Sequence, residues 1–239
     1  YDGCCIQLGI GGIPNAIGNL IADSDLKDLG VHTEMYVDAY LKMSMAGKIT
    51  GARKPIDRYK QVFSFAMGRR ELYDFIDDNP GVVANSVDYT NNPAVVARIP
   101  DFVSVNACIE VDLFGQVCAE SVGVRQISGT GGQLDFVEGA YKAPRGQSFI
   151  CMNSTFQGKN GLVSRIKPTL TPGAIVTDPR TAVHMIVTEY GIANMKGKST
   201  WERAEQLINI AHPDFRDYLV QEAQKMKIWR RSNKIITAS

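Results

Sequence analysis

The chain has 239 residues, of which 44% are hydrophobic and 21% charged, and its formal net charge at pH 7 is +1. This ordinary globular composition excludes intrinsic disorder, collagen and coiled coil, and the near-zero charge argues against a nucleic-acid or acidic-membrane partner. At about 100–200 residues per domain, the length allows one large or two small domains. The chain opens at Tyr1 without an initiator Met and runs directly into an apolar segment, so we expect a fragment or a processed chain.

The longest stretch without a formal charge covers residues 4–22, which is close to the length of a membrane span. Pro14 and four glycines within this stretch make it a poor transmembrane helix. No basic region ahead of it marks a signal peptide. We therefore predict no membrane partner, and we interpret the stretch as a buried strand, a glycine turn and a helix.

The cysteines and histidines indicate neither a disulfide framework nor a metal site. There are five cysteines, an odd number, without a CxxC pair, and the three histidines are scattered along the chain. This usage is typical of reduced thiols in a cytoplasmic protein. Cys118 and Cys151 lie in apolar runs and are predicted to be core residues.

In the first half of the chain, apolar runs and periodicity predict strands at residues 4–8, 31–40, 62–67, 81–87 and 102–110, and helices at residues 14–22 and 71–77. Pro14 suits the first position of its helix, where the missing N–H has no partner to lose. Residues 41–61, rich in Met, Lys, Gly and Pro, are expected to form irregular surface. The alternation around Phe114-Gly115 predicts a hairpin.

In the second half, the pattern predicts a helix at residues 134–141 and short strands at residues 148–152, 174–176 and 183–188. Ser199 and Glu202 form a capping box that begins a helix, with Ala204, Leu207, Ile208 and Ala211 on one face. A last helix is expected at residues 213–226. Strands and helices mixed in this way, with glycine turns after strands, predict an α/β fold with a mixed sheet.

A glycine turn at residues 9–14 (GIGGIP) lies between the first predicted strand and helix. Backbone N–H groups at such a position can bind a phosphate or an oxyanion. The turn is not the dinucleotide fingerprint, because Pro14 occupies the place of the third glycine, and no GK[ST] follows to make a P-loop. A tight structural turn is an equally open interpretation.

A second glycine loop, residues 128–132 (SGTGG), precedes the helix predicted at residues 134–141. Glycine permits positive φ and the close approach of a ligand or of another backbone. Asp135 in the first turn of the helix is explained by the helix dipole. The pattern leaves a structural turn and a ligand loop equally open.

The basic run near the C-terminus (Lys225, Lys227, Arg230, Arg231 and Lys234) is interpreted as a solvated tail.

Glu110 is the most informative single residue, because a carboxylate follows the mostly apolar residues 103–109. In a strand, Glu110 and Asp112 share one face. If that face is core, Glu110 is partly desolvated and more reactive. If it faces solvent, which is the default from the pattern alone, Glu110 is an ordinary surface residue.

Six motifs in order resemble one family over nearly the whole chain. They are residues 9–16 (GIGGIPNA), 29–35 (LGVHTEM), 106–117 (NACIEVDLFGQV), 128–136 (SGTGGQLDF), 187–193 (VTEYGIA) and 211–216 (AHPDFR). The sequence resembles the acetyl-CoA hydrolase/transferase family, the class I coenzyme A transferases, and is most similar to its 4-hydroxybutyrate and butyryl-CoA:acetate members. It corresponds to the C-terminal half of such a protein, so the resemblance implies that residues 1–239 are a C-terminal catalytic domain and that an N-terminal half is absent from this chain.

The resemblance implies a mixed open sheet flanked by helices, of the NagB/RpiA-like kind, and it assigns candidate site residues. Glu110 matches the family nucleophile, and Gly191 matches the glycine whose backbone helps to hold the thioester oxygen. A coenzyme A contact loop is expected, by spacing, on Val87, Asp88, Tyr89, Thr90 and Asn91. Gly131 and Gly132 match a glycine loop near the coenzyme.

The implied reaction is ping-pong transfer of coenzyme A between an acyl-CoA and a short-chain carboxylate, such as 4-hydroxybutyrate, butyrate or acetate, through a glutamyl-CoA thioester on Glu110. No tightly bound cofactor or metal is implied, coenzyme A thioester being a substrate, and a homo-oligomer, a dimer, is expected. Three alternatives remain open: an acyl-CoA hydrolase, a non-catalytic half of a larger enzyme, and a sugar-phosphate isomerase-like protein with a phosphate-binding glycine turn.

Overall fold

A computed structural model describes residues 1–229 of the chain. Arg230, Arg231 and Lys234 of the predicted basic tail lie outside the described residues. The chain divides into two compact units. The first unit contains Tyr1–Ala107 and Gly131–Phe149, and the second contains Cys108–Thr130 and the chain from Ile150 onward.

The helices within residues 1–229 are α1 (Gly12–Asp23), α2 (Asp38–Met45), α3 (Arg70–Ile76), α4 (Val87–Thr90), α5 (Pro93–Val96), α6 (Gln133–Lys142), α7 (Thr200–Asn209) and α8 (Pro213–Lys225). The strands are β1 (Cys5–Leu8), β2 (Gly30–Val31), β3 (Met35–Tyr36), β4 (Gln61–Phe63), β5 (Phe65–Ala66), β6 (Val82–Ala84), β7 (Phe102–Ala107), β8 (Glu110–Asp112), β9 (Val117–Cys118), β10 (Ser121–Val122), β11 (Arg125–Gln126), β12 (Gln147–Cys151), β13 (Thr155–Gly158), β14 (Gly161–Ser164), β15 (Ile166–Lys167), β16 (Met185–Thr188) and β17 (Gly191–Asn194).

The centre of the first unit is a parallel arrangement in which β1 pairs with β2 on one side and with β7 on the other. All four residues of β1 are buried, as a continuous apolar run predicts for a parallel strand covered on both faces. The exception to apolar character is Gln7. Its side chain donates to Asn106 Oδ1 at 3.0 Å and accepts from Ser104 Oγ at 2.7 Å, so the buried amide is paired.

Two predictions in the first unit are wrong in detail. Residues 31–40 do not form one strand but β2, β3 and the start of α2, and residues 41–61 are not all surface. Tyr36, Tyr40 and Met43 are fully buried, and the rings of Tyr36 and Tyr40 stack at 5.0 Å. Their spacing is helical rather than alternating, which explains why α2 replaces the end of the predicted strand.

The first helix, α1, begins at Gly12, so Pro14 lies at its third position rather than its first. Proline is tolerated there because the first four N–H groups of a helix have no partner within it. A core cluster of the first unit contains Val96, Phe102, Phe136 and Ala140, and the rings of Phe102 and Phe136 stack at 6.3 Å. This packing places α5 and α6 on the strand, as the predicted helix at residues 134–141 requires.

The second unit contains a mixed sheet, in which β8 pairs in parallel with β15 and antiparallel with β9. The β8–β9 pair is the hairpin predicted around Phe114-Gly115. Val111, Val117 and Ile166 from these strands are fully buried. Further antiparallel pairs join β16 to β17, β13 to β14, and β10 to β11. The mixed α/β class predicted from the sequence is confirmed.

The second unit also confirms the capping box and corrects one strand. Ser199 accepts from the Glu202 N–H, and the Glu202 carboxylate accepts from the Ser199 N–H at 2.8 Å, so α7 starts where predicted. Residues 174–176 form no strand. Ile175 and Val176 follow the turn at Pro172-Gly173 and are partly exposed, so their apolar character does not reflect a buried sheet position.

All five cysteines are free and buried, and the core positions predicted for Cys118 and Cys151 are confirmed. Within residues 1–229, every helix falls short of the length and apolar character that crossing a bilayer requires.

Candidate functional site

Glu110 is the first residue of β8, directly opposite Cys118 in the hairpin, and only 3% of it is exposed. The predicted strand at residues 102–110 is interrupted, since Cys108 and Ile109 separate β7 from β8. The default interpretation of Glu110 as a solvent-facing residue is therefore wrong. A buried carboxylate is costly unless it is paired and hydrogen-bonded, so its partners decide what it can do.

Those partners are Thr171 and Lys167. The Thr171 N–H donates to Glu110 Oε1 at 2.6 Å, and the Thr171 hydroxyl donates to Oε2 at 2.8 Å. The Lys167 ammonium forms an ion pair with Oε2 at 2.6 Å. Every oxygen of this buried carboxylate therefore has a short, charge-assisted partner, which compensates for its desolvation and fixes its orientation.

The β8–β15 register explains how Lys167 reaches Glu110. Ile166 lies opposite Val111 and Lys167 opposite Asp112, so β15 runs beside the strand that carries the glutamate. The sequence interpretation missed Lys167 and Thr171. The only available signal was a lysine directly before the run Pro168–Pro172. Nothing local connects Lys167 or Thr171 with a strand about 60 positions earlier in the chain.

Asp112 shares the buried face with Glu110 but has a structural role. Its Oδ1 accepts the N–H groups of Phe114 and Gln116 at 3.0 and 2.9 Å, and its Oδ2 accepts the Gln116 amide at 2.7 Å. Burial raises the pKa of the Asp112 carboxyl, despite the hydrogen bonds from Gln116 that oppose the shift. These bonds close the turn of the hairpin and so support the strand on which Glu110 begins.

Gly191, the second residue assigned a catalytic role by resemblance, lies in the same unit as Glu110. It opens β17 opposite Thr188, after the two-residue turn Glu189-Tyr190. Its φ of +141° strongly favours glycine, whereas a Cβ there would meet only Ile210 at 3.5 Å. Conformation, rather than lack of space, therefore explains the glycine, and its role in holding a thioester oxygen remains a prediction.

The turn before Gly191 is held from both sides. The Glu189 carboxylate accepts the Ser154 N–H at 2.8 Å and the Ser154 hydroxyl at 2.7 Å. Burial alone would raise the pKa of Glu189, but the hydrogen bonds from Ser154 outweigh it and lower that pKa. Tyr190 contacts the His212 ring edge-on at 5.6 Å and lies under the Arg216 guanidinium at 5.6 Å. The Gly191 backbone is therefore presented by a fixed hairpin.

The segments predicted to contact coenzyme A lie in the first unit. Val87, Asp88, Tyr89 and Thr90 do not form a loop but the one-turn helix α4, with Asn91 at its C-terminal end. The Thr90 carbonyl accepts from the buried His32 ring at 2.8 Å, and the Tyr89 hydroxyl donates to Asp57 at 2.8 Å. The segment is thus anchored on its inner side, while Val87 is exposed.

Gly131 and Gly132 precede α6, and Gly132 lies next to Asn91, whereas a Cβ on Gly131 would meet open space. The Gly132 N–H donates to the Glu34 carboxylate at 3.2 Å. A Cβ on Gly132 would lie 2.1 Å from the Asn91 amide nitrogen, so only glycine fits this close approach without displacement. The structure therefore joins the two segments that the sequence assigned independently, although a coenzyme role for them stays a prediction.

A groove of about 450 Å³ opens in the second unit, lined by residues 162–172 except Arg165, together with Phe215, Tyr218 and Glu222. Lys167 and Thr171, the two partners of Glu110, both line it. Three features therefore meet in one unit: a buried glutamate, a lysine and a threonine that hold it, and a space in front of these partners that a small molecule could enter. Such an arrangement is suited to nucleophilic chemistry by a carboxylate.

The fold and site thus define a mixed α/β protein with an oriented, buried glutamate beside a groove. The family model of the acetyl-CoA hydrolase/transferase C-terminal domain matches residues 68–223. The chain belongs to this family, as the six sequence motifs indicated.

The similarity to individual proteins extends over almost the whole chain. It is 77% identical, over 98% of its length, to a Syntrophomonas wolfei protein named "Probable butyrate:acetyl-CoA coenzyme A-transferase", of which it covers 53%. It is 49% identical, over 94% of its length, to the 4-hydroxybutyrate coenzyme A transferase of Clostridium kluyveri, of which it covers 51%. The crystal structure of RipA from Yersinia pestis matches 96% of this chain with a TM-score of 0.89 and 43% identity, over 51% of RipA. The chain thus spans about half the length of the relatives it matches.

Proposed function

We propose that this chain carries the nucleophile of a coenzyme A transferase, which moves coenzyme A between an acyl-CoA and a short-chain carboxylate through a glutamyl-CoA thioester on Glu110. One observation carries the proposal: a buried glutamate in the family motif has both carboxylate oxygens oriented by Thr171 and Lys167 beside a groove. The transferase names of the two relatives support the reaction class. They also make butyrate, acetate and 4-hydroxybutyrate the first carboxylates to test.

The proposed reaction loads coenzyme A onto Glu110 in two steps and unloads it in two further steps. Glu110 attacks the acyl-CoA carbonyl, the carbon–sulfur bond breaks, and coenzyme A leaves as a thiolate from a mixed anhydride. The thiolate attacks the glutamyl carbonyl of the anhydride, whose carbon–oxygen bond breaks to release the free carboxylate and leave the glutamyl-CoA thioester. An incoming carboxylate reverses these steps, and no proton or external oxidant is needed.

Each tetrahedral intermediate carries an oxyanion, and backbone N–H groups are suitable donors to it. In our proposal, Gly191 donates to the thioester oxygen from its hairpin. Loss of one oxyanion-hole donor costs about 2.7–4 kcal/mol in a serine protease. The weak nucleophilicity of a carboxylate is offset by remote binding energy from the long coenzyme A molecule, for which the segments at Val87–Thr90, Asn91, Gly131 and Gly132 are our candidates.

The same proposal includes the remaining expectations about the whole protein. Since the chain spans about half of its relatives, we propose that a further N-terminal half completes the acyl pocket. We also propose that the assembly is a cytoplasmic dimer that uses coenzyme A thioester as substrate without a tightly bound cofactor.

The test is mass spectrometry of the intact protein after incubation with a panel of acyl-CoAs. We expect a coenzyme A adduct on the Glu110 peptide, reducible by borohydride, and its loss in Glu110→Gln together with loss of transfer. Glu120→Gln is the matched control, because Glu120 is an equally buried carboxylate in the same unit, hydrogen-bonded to Thr177 at 3.0 Å. Full transferase activity in Glu110→Gln would overturn the assignment.

Hydrolysis of acyl-CoA is the second candidate, because the matching family includes hydrolases and water could resolve the same thioester. Measurement of free coenzyme A release with and without acetate separates the two activities. A transferase requires the acceptor and forms acetyl-CoA, whereas a hydrolase releases coenzyme A at the same rate in its absence.

A further inference from the structure

The two oxygens of Glu110 have different partners. Oε1 accepts only the backbone N–H of Thr171, at 2.6 Å, among the hydrogen bonds of the described residues. Oε2 accepts the Thr171 hydroxyl at 2.8 Å and lies 2.6 Å from the Lys167 ammonium. A carboxylate held in this way cannot exchange its oxygens by rotation without breaking three interactions at once, so its oxygens are chemically distinct.

The partners are fixed with respect to each other. The Lys167 ammonium donates to the Thr171 hydroxyl at 2.5 Å, which closes a ring of contacts with Glu110 Oε2. Lys167 ends β15, and the parallel pairing with β8 fixes its backbone. Its side chain is 23% exposed and lines the groove, whereas Glu110 is 3% exposed. A molecule in the groove therefore meets Lys167, which contacts Oε2, and Thr171, which contacts both oxygens.

We propose that Lys167 and Thr171 make the transfer regiospecific: Oε2 is the attacking oxygen of Glu110 in every cycle, and Oε1 is never transferred. This inference rests on the proposed function. Lys167 acts as a positioning residue for the glutamate, and Thr171 holds the retained oxygen through its N–H. The sequence interpretation contains neither residue.

In this proposal the Lys167 ammonium and the Thr171 N–H each contact a specific oxygen during the transfer reaction. Oε2 forms the bond to the acyl carbon, and the carbon–sulfur bond of the acyl-CoA breaks. When the thiolate attacks the Glu110 carbonyl, charge develops on Oε1, which the Thr171 N–H already contacts, and the bond from the Glu110 carbonyl carbon to Oε2 breaks. The released carboxylate carries Oε2 with it and leaves beside the Lys167 ammonium. The lysine therefore pairs with the same negative oxygen before and after transfer.

Oxygen labelling tests this directly. The intact protein turns over unlabelled acyl-CoA together with acetate that carries ¹⁸O at both oxygens, in unlabelled water, for about ten turnovers per site. The mass of the Glu110 peptide is then measured by mass spectrometry. Each cycle leaves one acetate oxygen at the position of Oε2. We expect the wild-type peptide to stop at one ¹⁸O. A carboxylate that rotates freely would reach two ¹⁸O over the same number of cycles.

Variants of Lys167 separate positioning from a purely structural role. Lys167→Met should lower kcat about 10²-fold, leave KM for acyl-CoA within about threefold, and let the peptide reach two ¹⁸O. Lys167→Arg keeps the charge and should restore most of kcat and the single label. Lys198→Met is the matched control, because Lys198 forms a partly exposed ion pair with Glu202 in the same unit. It should match wild type in rate and label.

The outcomes distinguish this inference from the proposed function. No label on Glu110 and no transfer in wild type would refute the proposed function itself. Transfer with two labels in wild type would refute the regiospecific role while leaving the transferase intact. A single label at wild-type kcat in Lys167→Met would refute the role of Lys167. If Lys167→Met does not fold, the number of ¹⁸O atoms in the Glu110 peptide of wild type and of Lys167→Arg still tests the proposal. Two ¹⁸O atoms in either protein would overturn it.

Discussion

Protonation of His32 should be one cause of acid destabilisation of the first unit. The His32 side chain is fully buried, and its Nε2 lies 2.8 Å from the Thr90 carbonyl oxygen. Since a carbonyl can only accept, Nε2 carries a hydrogen in this contact. Burial, helped by the charge of Lys54, lowers the pKa of His32 to about 4.

The size and sign of the effect follow from proton linkage. Unfolding returns His32 to an ordinary pKa of 6.5, so below that pH the unfolded chain binds a proton that the native ring does not. The free energy of unfolding therefore falls as pH decreases from 6.5 to about 4 and then stops changing on this account. At about 1.4 kcal/mol per pKa unit, the total loss is about 3 kcal/mol.

The assay is urea unfolding of wild type and His32→Gln at several pH values between 7 and 4. Glutamine can keep the donor to Thr90 but has no titration in this range, so the variant should lose the His32 component of the pH slope. Groups such as Glu189, whose pKa is lowered, contribute equally to both proteins. Equal slopes in the two proteins would refute the reasoning, as would an NMR titration placing the His32 pKa near 6.5.

Two further predictions concern a glycine contact and a helix cap. Gly132→Ala should raise KM for acyl-CoA about tenfold with little change in kcat, because the added Cβ would displace Asn91 and Glu34. Gly129→Ala is the control, because a Cβ at Gly129 meets open space, and its steady-state kinetics should match those of wild type. Equal KM values for wild type and Gly132→Ala would show that the contact between Gly132 and Asn91 does not contribute to coenzyme A binding. Ser199→Ala removes the N-cap of α7 and should cost about 1 kcal/mol in thermal unfolding, and an unchanged Tm would contradict the capping role.

Features that depend on neighbouring residues were predictable from the sequence. The buried strand at Cys5–Leu8, the capping box at Ser199 and the hairpin after Glu110 depend on local periodicity and turn chemistry. Features that depend on distant packing were not. Tyr40 belongs to a helix because its ring packs on Tyr36 and its hydroxyl accepts the Leu8 N–H at 2.7 Å, a contact that no local pattern contains.

The candidate site shows the same division. The position of Glu110 was found from its motif, but its burial depends on β15, which pairs with β8 from more than fifty positions later in the chain. A buried carboxylate requires compensation, so burial of Glu110 implies nearby donors, yet the sequence does not indicate where along the chain they lie. Lys167 resembles any surface lysine until the register of β15 places it beside Glu110.

The two partners of Glu110 should contribute unequally to its orientation. Removing only the lysine would leave Glu110 buried with its Thr171 bonds but without a countercharge, which is the costly case for a buried ion. Removing the threonine hydroxyl would leave the ion pair and the Thr171 N–H in place. We therefore expect the ammonium group to dominate the orientation of Oε2, while the backbone of Thr171 fixes Oε1 whatever its side chain. The site thus needs the β8–β15 pairing, because that pairing places the Lys167 ammonium beside Glu110.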